Sequence, residues 1–173
     1  MNEPTEGHSH AYERIQAKKS LADILQVATS FEKAAFDFYT ALIPRVSKQI
    51  RYLVEQLATE EQRHHELFNT LAKDPEAQQQ IQRKIATPVA DHQFSDMVHL
   101  PELGEDPDDQ AILQYALQRE DTAMKQYREL AENTEPGPIH DLFAFLANEE
   151  AQHKLELEKV YYQSIFRNNV NEG

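Results

Sequence analysis

The chain is organised around Leu57-Ala58-Thr59-Glu60-Glu61-Gln62-Arg63-His64. The same pattern, Leu-Ala-x-Glu-Glu-x-x-His, returns at Leu146-Ala147-Asn148-Glu149-Glu150-Ala151-Gln152-His153, an offset of 89 residues from 57 to 146. The surrounding apolar residues recur with helical spacing, so both copies are expected on helices. Residues three apart lie side by side on a helix. Glu61 is thereby paired with His64 and Glu150 with His153, and a carboxylate beside an imidazole can share a metal ion.

A second echo makes coincidence a poor explanation. Glu32-x-x-Ala35-x-x-x-Tyr39-x-x-Leu42 is matched by Glu120-x-x-Ala123-x-x-x-Tyr127-x-x-Leu130, now at an offset of 88 from 32 to 120. The chain therefore reads as a duplicated unit: a helix with one Glu, then a helix with Glu-x-x-His. The one-residue difference belongs in the loop between the two helices of a half. Only 4 glycines and no alternating strand pattern accompany this, so the expected fold is all-α.

Taken from its start, residues 1–19 are polar and read as a flexible tail, with His8 and His10 given no role. Ser20 is a good cap for a first helix whose stripe runs Leu21, Ile24, Leu25, Ala28, Phe31, Ala35, Phe38, Tyr39 and Leu42. Pro44 and Ser47 break the chain before a second helix on Ile50, Leu53, Val54, Leu57, Phe68 and Leu71. Residues 73–106 carry prolines 75, 88 and 101 and Gly104, and lack a bundle stripe. Residues 75–85 are expected as a short extra helix. The rest forms a crossover joining two helical hairpins, with His92 and His99 as loop residues. Asp106 or Asp108 with Pro107 starts the third long helix, on Leu113, Ala116, Leu117, Ala123, Met124, Tyr127 and Leu130. Glu135-Pro136-Gly137-Pro138 breaks it. The fourth carries Leu142, Phe143, Leu146, Leu157, Val160 and Tyr161. The bundle is expected over 20–167, with a frayed tail over 168–173.

Composition narrows the function. At 173 residues the chain makes one domain with room for a core. A net charge of −13 argues against nucleic acid, whose phosphates are bound by Lys and Arg. No apolar run is long enough to span a membrane and no signal peptide opens the chain, so the expected setting is cytoplasmic, with no membrane partner. With no cysteine, thiolate zinc, iron–sulfur and rubredoxin-type centres are absent from this chain. A metal here must be held by carboxylate and imidazole.

Glu32, Glu61, His64, Glu120, Glu150 and His153 all fall on apolar stripes. A buried carboxylate costs several kcal/mol unless something compensates it, and four together repel. Lys and Arg are too few on these stripes to neutralise them. Two divalent cations are enough, because four Glu give −4 and two ions give +4. These six are the candidate metal ligands. Oxygen and imidazole suit iron or manganese and accept zinc or cobalt; calcium disfavours imidazole. Iron is the usual occupant of such a set in a helical bundle, and the ligands do not separate it from manganese. Glu60 and Glu149 lie about 100° around the helix from their neighbours and read as flank residues or supports of the ligands. His65 and His140 read as surface residues. Tyr39 and Tyr127 sit two turns beyond Glu32 and Glu120 on the same face. They either hydrogen-bond a ligand carboxylate or serve as core aromatics.

One Glu on each of two helices and Glu-x-x-His on each of the other two resembles the ferritin-like di-iron carboxylate superfamily. The nearest likeness is to its rubrerythrin-like branch, as a four-helix domain without the rubredoxin domain, over most of residues 20–166. The resemblance implies a ferritin-like bundle, two iron ions on the six residues, Glu61 and Glu150 as bridges, and a homodimer. Rubrerythrins proper carry another carboxylate three residues beyond the third-helix Glu; here that position is Ala123. Without a cysteine-bound iron centre, a peroxidase would need an external electron donor. The expected function is oxidation of Fe(II) by O2 or H2O2, of ferroxidase or peroxidase type, in iron handling or oxidative-stress defence. The alternatives are a non-catalytic iron-binding or delivery module and a di-manganese catalase-like protein.

Overall fold

The structure is a computed structural model that describes residues 20–81, 103 and 107–171. The expected N-terminal tail with His8 and His10, the crossover loop with His92 and His99, and residues 172–173 lie outside the described residues. The elements are α1 (Leu21–Leu42), α2 (Lys48–Leu71), α3 (Pro75–Ile81), α4 (Asp109–Asn133) and α5 (Pro138–Asn171). No strand occurs among the described residues.

Local chemistry sets the helix ends. The Ser20 hydroxyl accepts from the Asp23 N–H at 3.2 Å while the Asp23 carboxylate accepts from the Ser20 N–H at 3.3 Å, a reciprocal cap. Ser47 accepts from the Gln49 N–H at 3.3 Å, and its hydroxyl donates to Asp109, tying the α1–α2 turn to the start of α4. Asp108 caps α4 by accepting from the Ala111 N–H at 2.8 Å. The short helix α3 also has a structural task. Its Gln80 donates to the carbonyls of Glu135 and Pro136 at 3.2 and 3.3 Å and accepts from the Ile139 N–H at 3.2 Å, closing the entry to α5. α5 continues through Asn171, past the expected fray point at Asn168.

α1 packs on α2 and α4 on α5; α2 also meets α5, and α3 meets α5 and α1. The apolar core forms two clusters. One gathers Ala28 and Phe31 of α1, Phe68 of α2, Ala123 and Tyr127 of α4, and Phe143 and Leu146 of α5. The other gathers Ala35 and Tyr39, Leu53 and Leu57, Leu113 and Ala116, and Leu157. In each long helix the buried residues between the two sets are charged or imidazole side chains: Glu32, then Glu61 and His64, then Arg119 and Glu120, then Glu150 and His153. The charged layer therefore crosses the bundle between two apolar halves.

The clusters also give the chain directions. α2 runs from the second cluster to the first, and α4 does the same. The chain thus leaves the first hairpin at one end of the bundle and enters the second at the other. This is the ferritin-like arrangement of two hairpins and a long connection.

Candidate metal centre

Glu32, Glu61, His64, Glu120, Glu150 and His153 are all buried, with at most 3% of their surface exposed. The helices bring them together in two overlapping sets: Glu32, Glu61, His64 and Glu150, and Glu61, Glu120, Glu150 and His153. In each set the donor atoms lie within 4.8 Å of one another, and Glu61 and Glu150 belong to both. The two imidazoles stack at 5.7 Å with their planes 15° apart. His64 Nδ1 lies 3.1 Å from Glu150 and 3.5 Å from both Glu32 and Glu61. His153 Nδ1 lies 3.2 Å from Glu150, 3.6 Å from Glu61 and 3.7 Å from Glu120. Both rings thus turn Nδ1 towards the carboxylates.

The donors fit a pair of metal ions. Glu32 Oε2, Glu61 Oε1, His64 Nδ1 and Glu150 Oε1 are buried and make no hydrogen bond. Buried polar atoms are ordinarily partnered. These four point into a cluster of oxygens and imidazole nitrogens, the donor set of iron, manganese or zinc.

Electrostatics carries the same strain. Burial, then the Glu61 charge, pushes the Glu32 carboxyl up to about 8. Burial, then the Glu120 and Glu61 charges, raises Glu150 well above the carboxylate range. Burial also works against ionised Glu61, but contacts with His153, His64 and Glu32 outweigh it and hold that carboxyl below its usual range. For the histidines burial disfavours the cation. Glu150, Glu32 and Glu61 overcome this at His64, and Glu120, Glu150 and Glu60 at His153, so both are raised. Divalent cations held by these carboxylates would relieve the same repulsion.

The tyrosines make both contacts that the sequence allowed. Each is fully buried in the core, and each donates to a glutamate of the opposite hairpin: Tyr39 to Glu120 Oε1 at 2.6 Å, and Tyr127 to Glu32 Oε1. Burial and the facing carboxylates raise both phenols well above their ordinary range, so they stay protonated donors. His65 and His140 stand apart from the cluster, against Asn69 and Asp141.

Three features were not legible from the helical stripes. Glu60 and Glu149 are half-buried and reach across to the other motif: Glu60 contacts His153 Nε2, and Glu149 lies 3.9 Å from His64 Nε2. Arg119 is 4% exposed, with its guanidinium 5.3 and 5.0 Å from the ring centres of Phe31 and Phe38. Gln126, one heptad on, is also buried. The 88-residue offset carried the missed signal, because it maps Arg119 onto Phe31 and Gln126 onto Phe38, both stripe residues.

The fold matches a solved structure described as a dodecameric thioferritin, the bacterioferritin-related protein from Bacteroides fragilis. The TM-score is 0.64 and the identity 22%, over 86% of this chain and 88% of that one. No curated protein matches the chain. The rubrerythrin family model matches residues 23–97 and 111–171, which include all six clustered residues. By this match, and with the duplicated Glu and Glu-x-x-His helices that it spans, the chain belongs to the rubrerythrin family.

Proposed function

We propose that the protein binds two iron ions and oxidises Fe(II) with O2 or H2O2, as a ferroxidase or rubrerythrin-like peroxidase in iron handling or oxidative-stress defence. One observation carries this reading: two four-residue donor sets overlap on Glu61 and Glu150 inside a buried, duplicated layer. Glu32 with His64 would hold one ion and Glu120 with His153 the other, with Glu61 and Glu150 shared. Bound as Fe(II), the pair would supply electrons to the oxidant and stabilise the resulting oxygen anions. Tyr39 and Tyr127 each fix one oxygen of a terminal glutamate and leave the other for the metal. The apolar clusters on both sides keep bulk water away and so strengthen the charge interactions between them. A peroxidase cycle needs an external electron donor, since the chain has no cysteine to hold an iron centre of its own.

An oligomer is part of the proposal. The resemblance implies a homodimer, and the solved neighbour is a dodecamer by its description. A cytoplasmic setting completes the reading.

The test is an anaerobic Fe(II) titration followed by addition of O2 or H2O2 in separate arms. Two Fe(II) per chain, oxidised faster than in buffer, is the expected result. Two Fe(II) without faster oxidation would replace the reading by an iron carrier. Two manganese ions in protein from iron- and manganese-replete cells, with O2 evolved from H2O2, would replace it by a catalase.

A further inference from the structure

α5 is apolar on two faces. Leu146, Glu150, His153 and Leu157 are buried in the bundle. Leu155, Tyr162 and Phe166 lie on the opposite side and are 64%, 60% and 71% exposed. Seven and eleven residues along a helix return to within about 20° of the starting direction, so these three share one outward stripe. A surface helix ordinarily carries a single apolar stripe, turned to its own core. Towards the start of α5 the same outward stripe becomes small, with Ala144, Asn148 and Ala151. Together with Ala147 and Ala131 of α4 these line a groove of about 360 Å³.

The large and small positions are placed symmetrically about Leu155. Tyr162 and Phe166 stand seven and eleven residues beyond it, and Asn148 and Ala144 stand seven and eleven residues before it. A second α5 laid antiparallel, with a two-fold axis at Leu155, sets Phe166 on Ala144, Tyr162 on Asn148 and Leu155 on its own copy. Such a surface is self-complementary: what one copy gives, it also receives. A parallel pairing would set aromatic on aromatic and leave the alanine groove empty. We propose that two copies of this chain pair antiparallel through the outer face of α5, each seating its Tyr162 and Phe166 in the α4–α5 groove of the other.

The area agrees with a second copy as occupant. An aromatic side chain carries about 150–250 Å². At their exposures Leu155, Tyr162 and Phe166 leave roughly 300–400 Å² of apolar surface open on each copy. Two copies bury twice that, and the walls they cover lose a comparable area, so the total reaches about 1,200–1,600 Å², the size of a stable interface. The inference rests on the oligomer in the reading above, names its face, and does not depend on the metals.

The chain has no cysteine, so introduced thiols report the pairing without interference. Under mild oxidation full-length Leu155→Cys should give a disulfide-linked dimer. Phe166→Cys alone should not, because its two copies stand about 33 Å apart along the helices, whereas the double variant Ala144→Cys with Phe166→Cys should. Analytical ultracentrifugation then reads the fit. Phe166→Ala and Ala144→Phe should each weaken self-association about 30-fold or more. Combining Ala144→Phe with Phe166→Ala exchanges large for small and should restore it, a recovery that a role in folding alone would not give. These positions lie on the outside of the bundle, so circular dichroism should show wild-type helix content; if a variant does not fold, the cysteine variants carry the decision. An oligomer whose mass and affinity survive Leu155→Glu and Phe166→Glu, or one that yields no Leu155→Cys disulfide, would overturn this face and leave the oligomer standing. A monomeric wild type would overturn the oligomer and the face together.

Discussion

Tyr39 and Tyr127 each place a phenol proton on a buried glutamate that belongs to the other half of the duplication. Removing that hydroxyl leaves a carboxylate oxygen in a dry site without a donor, which costs about 1–3 kcal/mol. Tyr39→Phe and Tyr127→Phe should each lower stability by that amount in urea unfolding of the metal-free protein. Equal midpoints for wild type and variants would mean that the phenols merely fill space. Glu61 and Glu150 belong to both donor sets, so Glu61→Ala with Glu150→Ala should abolish paired metal binding; two ions per chain measured in that variant by mass spectrometry would show the bridging assignment to be wrong. Arg119 makes a different case. Its planar cation lies over Phe31 and Phe38, where a lysine cannot reproduce the stacking. Arg119→Lys should cost about 1–2 kcal/mol, again read by urea unfolding.

Each element is stopped and started by a small number of contacts, and these can be removed singly. The Ser20–Asp23 reciprocal cap holds the first turn of α1. Ser20→Ala should cost about 1 kcal/mol, and hydrogen exchange should locate the loss at that turn rather than throughout the bundle. Gly137 opens α5 with φ at +152°, a conformation that side chains rarely adopt. A Cβ there would also come within 2.4 to 2.7 Å of the Gln80 amide, the same group that closes the α4–α5 turn. Gly137→Ala should therefore destabilise by about 1–3 kcal/mol and loosen α3 from α5. Unaltered thermal unfolding would show that Gln80 can move aside without loss. The prolines and glycine at 135–138 marked this turn in the sequence. Nothing there showed that Gln80 of α3, 55 residues or more earlier in the chain, would supply its hydrogen bonds.

For the whole molecule, the four carboxylates and two imidazoles form a polar layer between two apolar halves. Divalent ions bound only by the folded state stabilise it by mass action, so chelation should lower the thermal midpoint, and restoring Fe(II) should raise it again. A midpoint indifferent to metal would count against a buried site. Light scattering should give a mass above the 20.0 kDa of one chain; a monomer would remove the oligomer from the proposal. How far all this could be read in advance follows from what a sequence repeats. Helical periodicity fixes which residues share a face within one helix, and the 88- and 89-residue echoes aligned the faces of the two halves. That was sufficient for an all-α chain of two like hairpins and for the six polar residues on their apolar stripes. Periodicity carries no information about how deeply a flanking residue sits or which helix it meets. The depth and mutual approach of the helices come from packing, and packing alone carried Tyr39 to Glu120 and Tyr127 to Glu32, turned Glu60 and Glu149 from flanks into neighbours of the opposite histidines, and enclosed Arg119 between two aromatic rings.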